Sequence, residues 1–214
     1  MPLYSIEGID GTGKSTLVAA LGFELERRGV DALVLREPGG VETAERIREL
    51  VKDPGLAVSD RTEALLYAAA RAQLIEERVR PALKAGRTVL LDRFVDSSLA
   101  YQGGGRELGV DAIGALNRFA TGGLVPDRTL LLSLDPDVAA ARAVSRGEAP
   151  DRLEQAGSEF YARVAEAYAR LAAAEPDRIR VLDASGTPQQ LLAAALTALD
   201  IRAGDPDGTP TRRR

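Results

Sequence analysis

Nine consecutive residues carry the clearest chemistry in the chain: Gly8-Ile9-Asp10-Gly11-Thr12-Gly13-Lys14-Ser15-Thr16. Glycines at 8, 11 and 13 let the backbone curl until successive N–H groups point inward at one anion. A helix opening at Lys14 adds the positive end of its dipole to that field. The Lys14 amine would then reach the β/γ-phosphates of a nucleoside triphosphate, and the Ser15 hydroxyl would ligate Mg2+. A glycine-rich turn before an ordinary helix is the plainer explanation, and the flanks decide against it. An apolar run, Leu3-Tyr4-Ser5-Ile6, precedes the glycines, and Leu17-Val18-Ala19-Ala20-Leu21 follows in helical register. That strand–loop–helix setting is the one a phosphate-binding P-loop requires. The stretch implies a bound nucleotide.

Two further clusters fit a reaction on phosphates. Asp92-Arg93 closes the apolar run Thr88-Val89-Leu90-Leu91. Ligands of open α/β sheets bind outside the carboxyl ends of the strands. An acid there can orient Mg2+ or its waters, and the neighbouring arginine can grip a phosphate. Arg142 and Arg146 are four apart and share a helix face, and Arg152 follows after Gly147 and Pro150. Cations on such an interrupted segment, around 142–153, suit a lid over phosphates, because phosphoryl transfer concentrates negative charge. A solvated basic face is the alternative in a chain whose basic charge is nearly all arginine. The lysines are Lys14, Lys52 and Lys84, which makes a lysine at position 14 the more pointed.

Composition excludes several other chemistries. The chain has 214 residues and neither cysteine nor histidine, so disulfides, thiolate metal sites and imidazole bases are absent. A net charge of −4 argues against a general nucleic-acid binder. No apolar run approaches the ~20 residues that span a bilayer, and no signal peptide is visible at the N-terminus. A cytoplasmic enzyme without nucleic-acid or membrane partners is the expectation.

The elements that must position these residues alternate in type. Strands are expected at 3–7, 30–36, 88–92, 128–134 and 179–183. Helices are expected at 14–28, 42–52, 60–84, 111–121, 136–146, 154–174 and 188–199. Asp60 and Asp135 are expected as N-caps, and Pro81 as a bend or early end of its helix. Glu37-Pro38-Gly39-Gly40 stops the second strand. The pattern predicts an α/β fold: a parallel sheet of about five strands flanked by helices on both faces. One domain, 1–203, is expected, with a disordered tail at 204–214.

With these motifs assembled, the chain resembles the thymidylate kinases. The resemblance rests on the P-loop, Arg36-Glu37-Pro38-Gly39-Gly40, the run from Asp92 to Gln102, and Asp151-Arg152-Leu153-Glu154, in that order. It implies a nucleoside monophosphate kinase fold, a homodimer, and the reaction of ATP with dTMP to ADP and dTDP with Mg2+. By resemblance, Asp10 lies beside the deoxyribose 3′-hydroxyl, Arg93 binds the dTMP phosphate, and Asp92 lies near the metal with Ser15. Tyr67, commonly Phe in the family, and Arg71 stack on and hydrogen-bond thymine. Glu37, Pro38, Ser97, Ser98, Tyr101 and Gln102 belong to the same dTMP pocket, Tyr101 near C2′, and Ala184-Ser185-Gly186 lies near adenine. Some members carry an arginine within the P-loop. Here that position is Gly11, so the cations fall to Arg142, Arg146 and Arg152. Val41 also departs, standing where threonine often follows Glu-Pro-Gly-Gly.

The absent histidine accords with this chemistry, since a nucleotide phosphate with a second pKa near ~6 is already anionic and needs no base. Another P-loop nucleotide or deoxynucleoside kinase remains the alternative. A P-loop switch or partitioning ATPase fits less well, because no Asn/Thr-Lys-x-Asp motif occurs.

Overall fold

A computed structural model describes residues 1–145 and 152–201. Five parallel strands form one sheet in the order β2-β3-β1-β4-β5: β1 Leu3–Glu7, β2 Ala32–Arg36, β3 Thr88–Asp92, β4 Arg128–Ser133 and β5 Ile179–Asp183. Registers such as Ile6↔Asp92 and Glu7↔Leu131 bring the carboxyl ends of β1 and β3 together, with β4 running two residues further to Ser133. Central strands are buried nearly throughout and are correspondingly apolar, whereas the edge strands β2 and β5 are partly exposed. Thr88–Asp92 and Ile179–Asp183 match the expected bounds, and β2 starts two residues late.

Helix α1 (Lys14–Arg27) and α9 (Pro188–Ala198) cover one face, around Tyr4, Ile6, Leu21, Leu130 and Leu191. The other face carries α2 (Glu42–Lys52), α3 (Asp60–Leu74) and α4 (Arg80–Lys84), then α5 (Val95–Ser98), α6 (Val110–Thr121) and α8 (Ser158–Ala174). Because strand side chains alternate, Tyr4 and Ile6 face α1 while Ser5 and Glu7 are buried on the second face. No helix among the described residues is long and apolar enough to cross a membrane.

Several expectations are corrected. The expected 60–84 helix is interrupted by a π-helical stretch, Ile75–Val79, before α4. It lies just ahead of Pro81, which has no N–H to give the ladder, so the spacing widens there rather than ending the helix. Ser59, not Asp60, is the N-cap, and its hydroxyl meets Thr62 Oγ1 at 2.9 Å. A second π-helical stretch, Leu99–Gly105, continues α5 where the sequence pattern predicts no element. The expected 154–174 helix divides into a 3-10 turn, Glu154–Ala156, and α8, because Gly157 at φ 84° separates them. Asp135 does cap α7 (Pro136–Val144), accepting from the Asp137 and Val138 amides. The expected end of that helix at Arg146, the rest of the lid segment to Asp151, and the 204–214 tail lie outside the described residues.

Candidate active site

Four of the motifs singled out by sequence begin at the carboxyl end of a strand: the P-loop after β1, Glu37 after β2, Arg93 after β3, and Ala184 after β5. The P-loop, Glu37 and Arg93 border one cavity of about 560 Å3, whereas the 184–186 stretch is not among its lining residues.

The P-loop forms one wall. Its glycines 8, 11 and 13 all take positive φ. Gly13 precedes α1 with no side-chain cap, so the first amides of the helix remain available to an anion. Lys14 folds back on the loop, donating to Ile9 O at 2.7 Å and lying 3.8 Å from Asp10. Burial, then the nearby Arg93, pulls its amine down to about 8, against the attraction of Asp10, Asp92 and Glu7. Thr12 is buried and donates to Ile9 O at 2.8 Å, so its side chain braces the loop. Gly11 is constrained from outside as well. A Cβ there would lie 1.9 Å from the Ala139 carbonyl oxygen of α7, at φ +84°. No larger side chain fits at that P-loop position, which makes the glycine a packing requirement.

Ser15 Oγ donates to Asp92 Oδ2 at 2.8 Å. A hydroxyl and a carboxylate in contact beside the helix N-terminus supply hard oxygen donors, and phosphate oxygens and water can complete an octahedral shell. That pair fits a Mg2+ ion. Among the described residues, no group of three or more acidic side chains is placed to hold a metal ion.

Arg93, just after β3, borders the same cavity and lies against the P-loop. Its backbone is held at φ 70°, an unusual conformation for a residue with a side chain. The guanidinium donates from NH1 to Gly8 O (3.0 Å) and Ser97 Oγ (3.1 Å), and from NH2 to Asp10 Oδ1 (2.6 Å) and Tyr101 OH (3.4 Å). It also lies 5.1 Å from the Tyr101 ring centroid, a cation–π distance. Burial pushes the Asp10 carboxyl up, but Arg93 and Lys14 outweigh it and hold Asp10 well below the usual carboxylate range. A permanent cation is thereby fixed between the P-loop and the mouth of the cavity.

Tyr67, Ser97, Ser98, Tyr101, Gln102, Glu37 and Pro38 all line the cavity. Arg71 does too, but its surroundings differ from expectation. The side chain is 2% exposed and donates to Glu37 Oε2 (2.7 Å), Ser98 Oγ (2.9 Å), Phe94 O (2.9 Å) and Asn117 Oδ1. It ties α3 to Glu37, to Phe94 and Ser98, and to α6. Glu37 keeps a second oxygen, Oε1, buried without a hydrogen-bond partner among the described residues. Burial raises the Glu37 carboxyl against the pull of Arg71.

The lid arginines separate. Arg142 borders the cavity, with NH1 donating to Ala184 O at 3.0 Å. Arg152 is not brought there. It donates to Glu63 Oε2 at 2.7 Å and Val51 O at 3.0 Å, and Glu63 also accepts from Gln102 at 2.8 Å. Arg146 lies outside the described residues. Sequence reasoning gave Arg36 no role of its own and missed Glu63, Asn117 and the cavity residues Arg48 and Lys52. The spacing of Arg48 and Lys52, four apart on α2, was the available signal for the last two.

A comparison with protein families matches residues 6–194 to the family described as Thymidylate kinase. Among curated proteins, the chain is 46% identical to "Thymidylate kinase" of Deinococcus radiodurans, over 92% of this chain and 96% of that one. It is 47% identical to the protein of the same name from Bifidobacterium longum strain DJO10A, over 89% and 93%. With that of Chlorobaculum parvum the identity is 44%, over 96% and 99%.

Proposed function

The chain belongs to the thymidylate kinase family and phosphorylates dTMP with ATP, and we propose that its two nucleotides meet end to end between the P-loop and Arg93. The single cavity bordered by both carries this reading. ATP places its phosphates on the P-loop amides and Lys14, with adenine toward Ala184-Ser185-Gly186. The dTMP phosphate faces Arg93, its deoxyribose lies by Asp10 and Tyr101, and its base lies between Tyr67, Ser97, Ser98 and Gln102. Arg71 positions that pocket, using Glu37, Ser98 and Phe94 as anchors.

No residue needs to act as a base, because the acceptor phosphate is already an anion near neutral pH. Alignment and charge neutralisation then supply the catalysis. Ser15 and Asp92 would hold Mg2+, which supplies positive charge to the phosphate oxygens when bound. Arg93 and Lys14 are fixed by the fold before substrate arrives, so they cost little reorganisation during transfer. Arg142 is the lid cation at the cavity; Arg152 reaches the phosphates only on leaving Glu63. The close approach of Ala139 to Gly11 favours the family subtype that draws its cations from the lid. A homodimer accords with the large exposed apolar side chains Leu65 on α3 and Phe119 on α6, which a second copy would cover.

ADP release measured with ATP and dTMP, dUMP, dCMP, thymidine or no acceptor tests the reading. Release dependent on dTMP and much weaker with thymidine is expected. Release indifferent to the acceptor would overturn it.

A further inference from the structure

Glu7, the last residue of β1, is fully buried and belongs to no part of the mechanism above. Its carboxylate is nevertheless spoken for on both oxygens. Oε1 accepts the Phe94 amide at 2.7 Å. Oε2 accepts the Ser97 hydroxyl at 2.5 Å and the Tyr168 hydroxyl of α8 at 3.0 Å. Ser97 Oγ in turn accepts from Arg93 NH1. The residues on either side of Glu7 grip the same arginine: Ile6 O accepts the Arg93 amide at 2.9 Å, and Gly8 O accepts from its guanidinium.

From this arrangement we infer that Glu7 is a positioning residue for Arg93, fixing its backbone through the Phe94 amide and its side chain through Ser97. A left-handed backbone at a non-glycine residue is strained and needs such over-determination to persist. The Phe94 amide is the donor immediately after that strained residue, and only Glu7 among the described residues accepts it as a side chain. Among the described residues, Ser97 is the one hydroxyl that meets both Glu7 and Arg93. Retaining a carboxylate here is expensive. Burial, then the Asp96 carboxylate on α5, raises the Glu7 carboxyl well above its ordinary range, against Ser97, Arg93 and the Phe94 amide. Asp96 is itself committed to Arg178, at 2.6 and 2.8 Å, and does not substitute for Glu7. A leucine or methionine would fill the space at less cost, so an acid at this place answers a need for acceptors.

The inference rests on the reading that Arg93 binds the dTMP phosphate, and the experiment separates the two. Glu7→Gln keeps one carbonyl oxygen for the Phe94 amide but presents N–H donors where Ser97 and Tyr168 need an acceptor. KM for dTMP is expected to rise about 10-fold, the equivalent of one charge-assisted hydrogen bond, with KM for ATP within about twofold. Combined with Arg93→Ala, the same substitution should add no further loss in dTMP affinity, because both act through one guanidinium. If Arg93→Ala alone leaves KM for dTMP unchanged, the phosphate reading fails. If Arg93→Ala raises it but Glu7→Gln does not, or if the two losses simply add, the positioning role fails. Should Glu7→Gln not fold, Ser97→Ala cuts the same relay one bond nearer Arg93; additive losses in its cycle with Arg93→Ala overturn the inference, and non-additive ones support it.

Discussion

Replacing Arg93 by alanine separates the two nucleotide sites most sharply. In the folded chain NH1 is committed to Gly8 O and Ser97 Oγ, and NH2 to Asp10 and Tyr101. The Nε–H is the one donor of the fork with no acceptor among the described residues, so an incoming phosphate gains at least that bond without disturbing the others. A hydrogen bond between charged groups contributes about 1.5–3 kcal/mol, which corresponds to roughly 10- to 150-fold. Arg93→Ala is therefore expected to lower kcat/KM for dTMP by about that range. The ATP side should change far less. Asp10 loses its closest partner but keeps Tyr101 OH at 3.3 Å, Tyr161 OH at 3.4 Å and Lys14 at 3.8 Å, so the P-loop is not dismantled. KM for ATP should stay within about threefold, as expected of an interaction made to the other substrate. The assay is initial-rate ADP release, varying each nucleotide at saturation of the other, beside a melting curve to confirm folding. Equal losses for both substrates, in a protein that melts normally, would refute the assignment of Arg93 to the dTMP phosphate.

Lys14 must be protonated to meet ATP, and its amine titrates at about 8 in the unliganded protein, below the ordinary lysine value. The charged form is thus complete below that pH and is lost above it, so kcat/KM for ATP should fall about tenfold per pH unit beyond it; a profile flat to about pH 9.5 would contradict this. Gly11→Ala puts a Cβ against the Ala139 carbonyl in a positive-φ conformation. An overpacking cost of about 1–3 kcal/mol lowers the melting temperature by roughly 2–12 °C for a domain of this size, and an unchanged melting curve would show that α7 does not close on the loop. Arg142→Ala should reduce kcat while leaving KM for dTMP nearly unchanged, and an undiminished kcat would remove Arg142 from catalysis.

The parts of this molecule written in local pattern were legible. Strand Thr88–Asp92, helix Glu42–Lys52 and the cap at Asp135 follow from hydrophobic period, flanking glycines and capping chemistry, all within a few residues of one another. The P-loop is legible for the same reason, since its geometry is fixed by glycines at short spacing. What escaped is non-local or nearly degenerate. A π-helical stretch differs from an α-helix by one residue per turn, and the apolar pattern through Ile75 and Val79 serves both. Ser59 and Asp60 are equally good caps, and one residue separates them. Arg71 and Asn117 meet across 46 positions, and Glu63 meets Arg152 across 89. Spacing therefore placed Arg71 beside Tyr67 on one helix face but said nothing of the four partners that occupy its guanidinium.

Two nucleotides sharing one cleft with their phosphates in line would both be displaced by one ligand that spans the cleft. The most direct test is inhibition by a single molecule in which adenosine and thymidine are joined through their 5′ positions by a chain of five phosphates. Such a compound should compete with ATP and with dTMP alike and bind at least about 100-fold more tightly than dTMP, since linking two ligands makes the second contact intramolecular. Competition against only one of the substrates, or an affinity no better than that of dTMP, would contradict it.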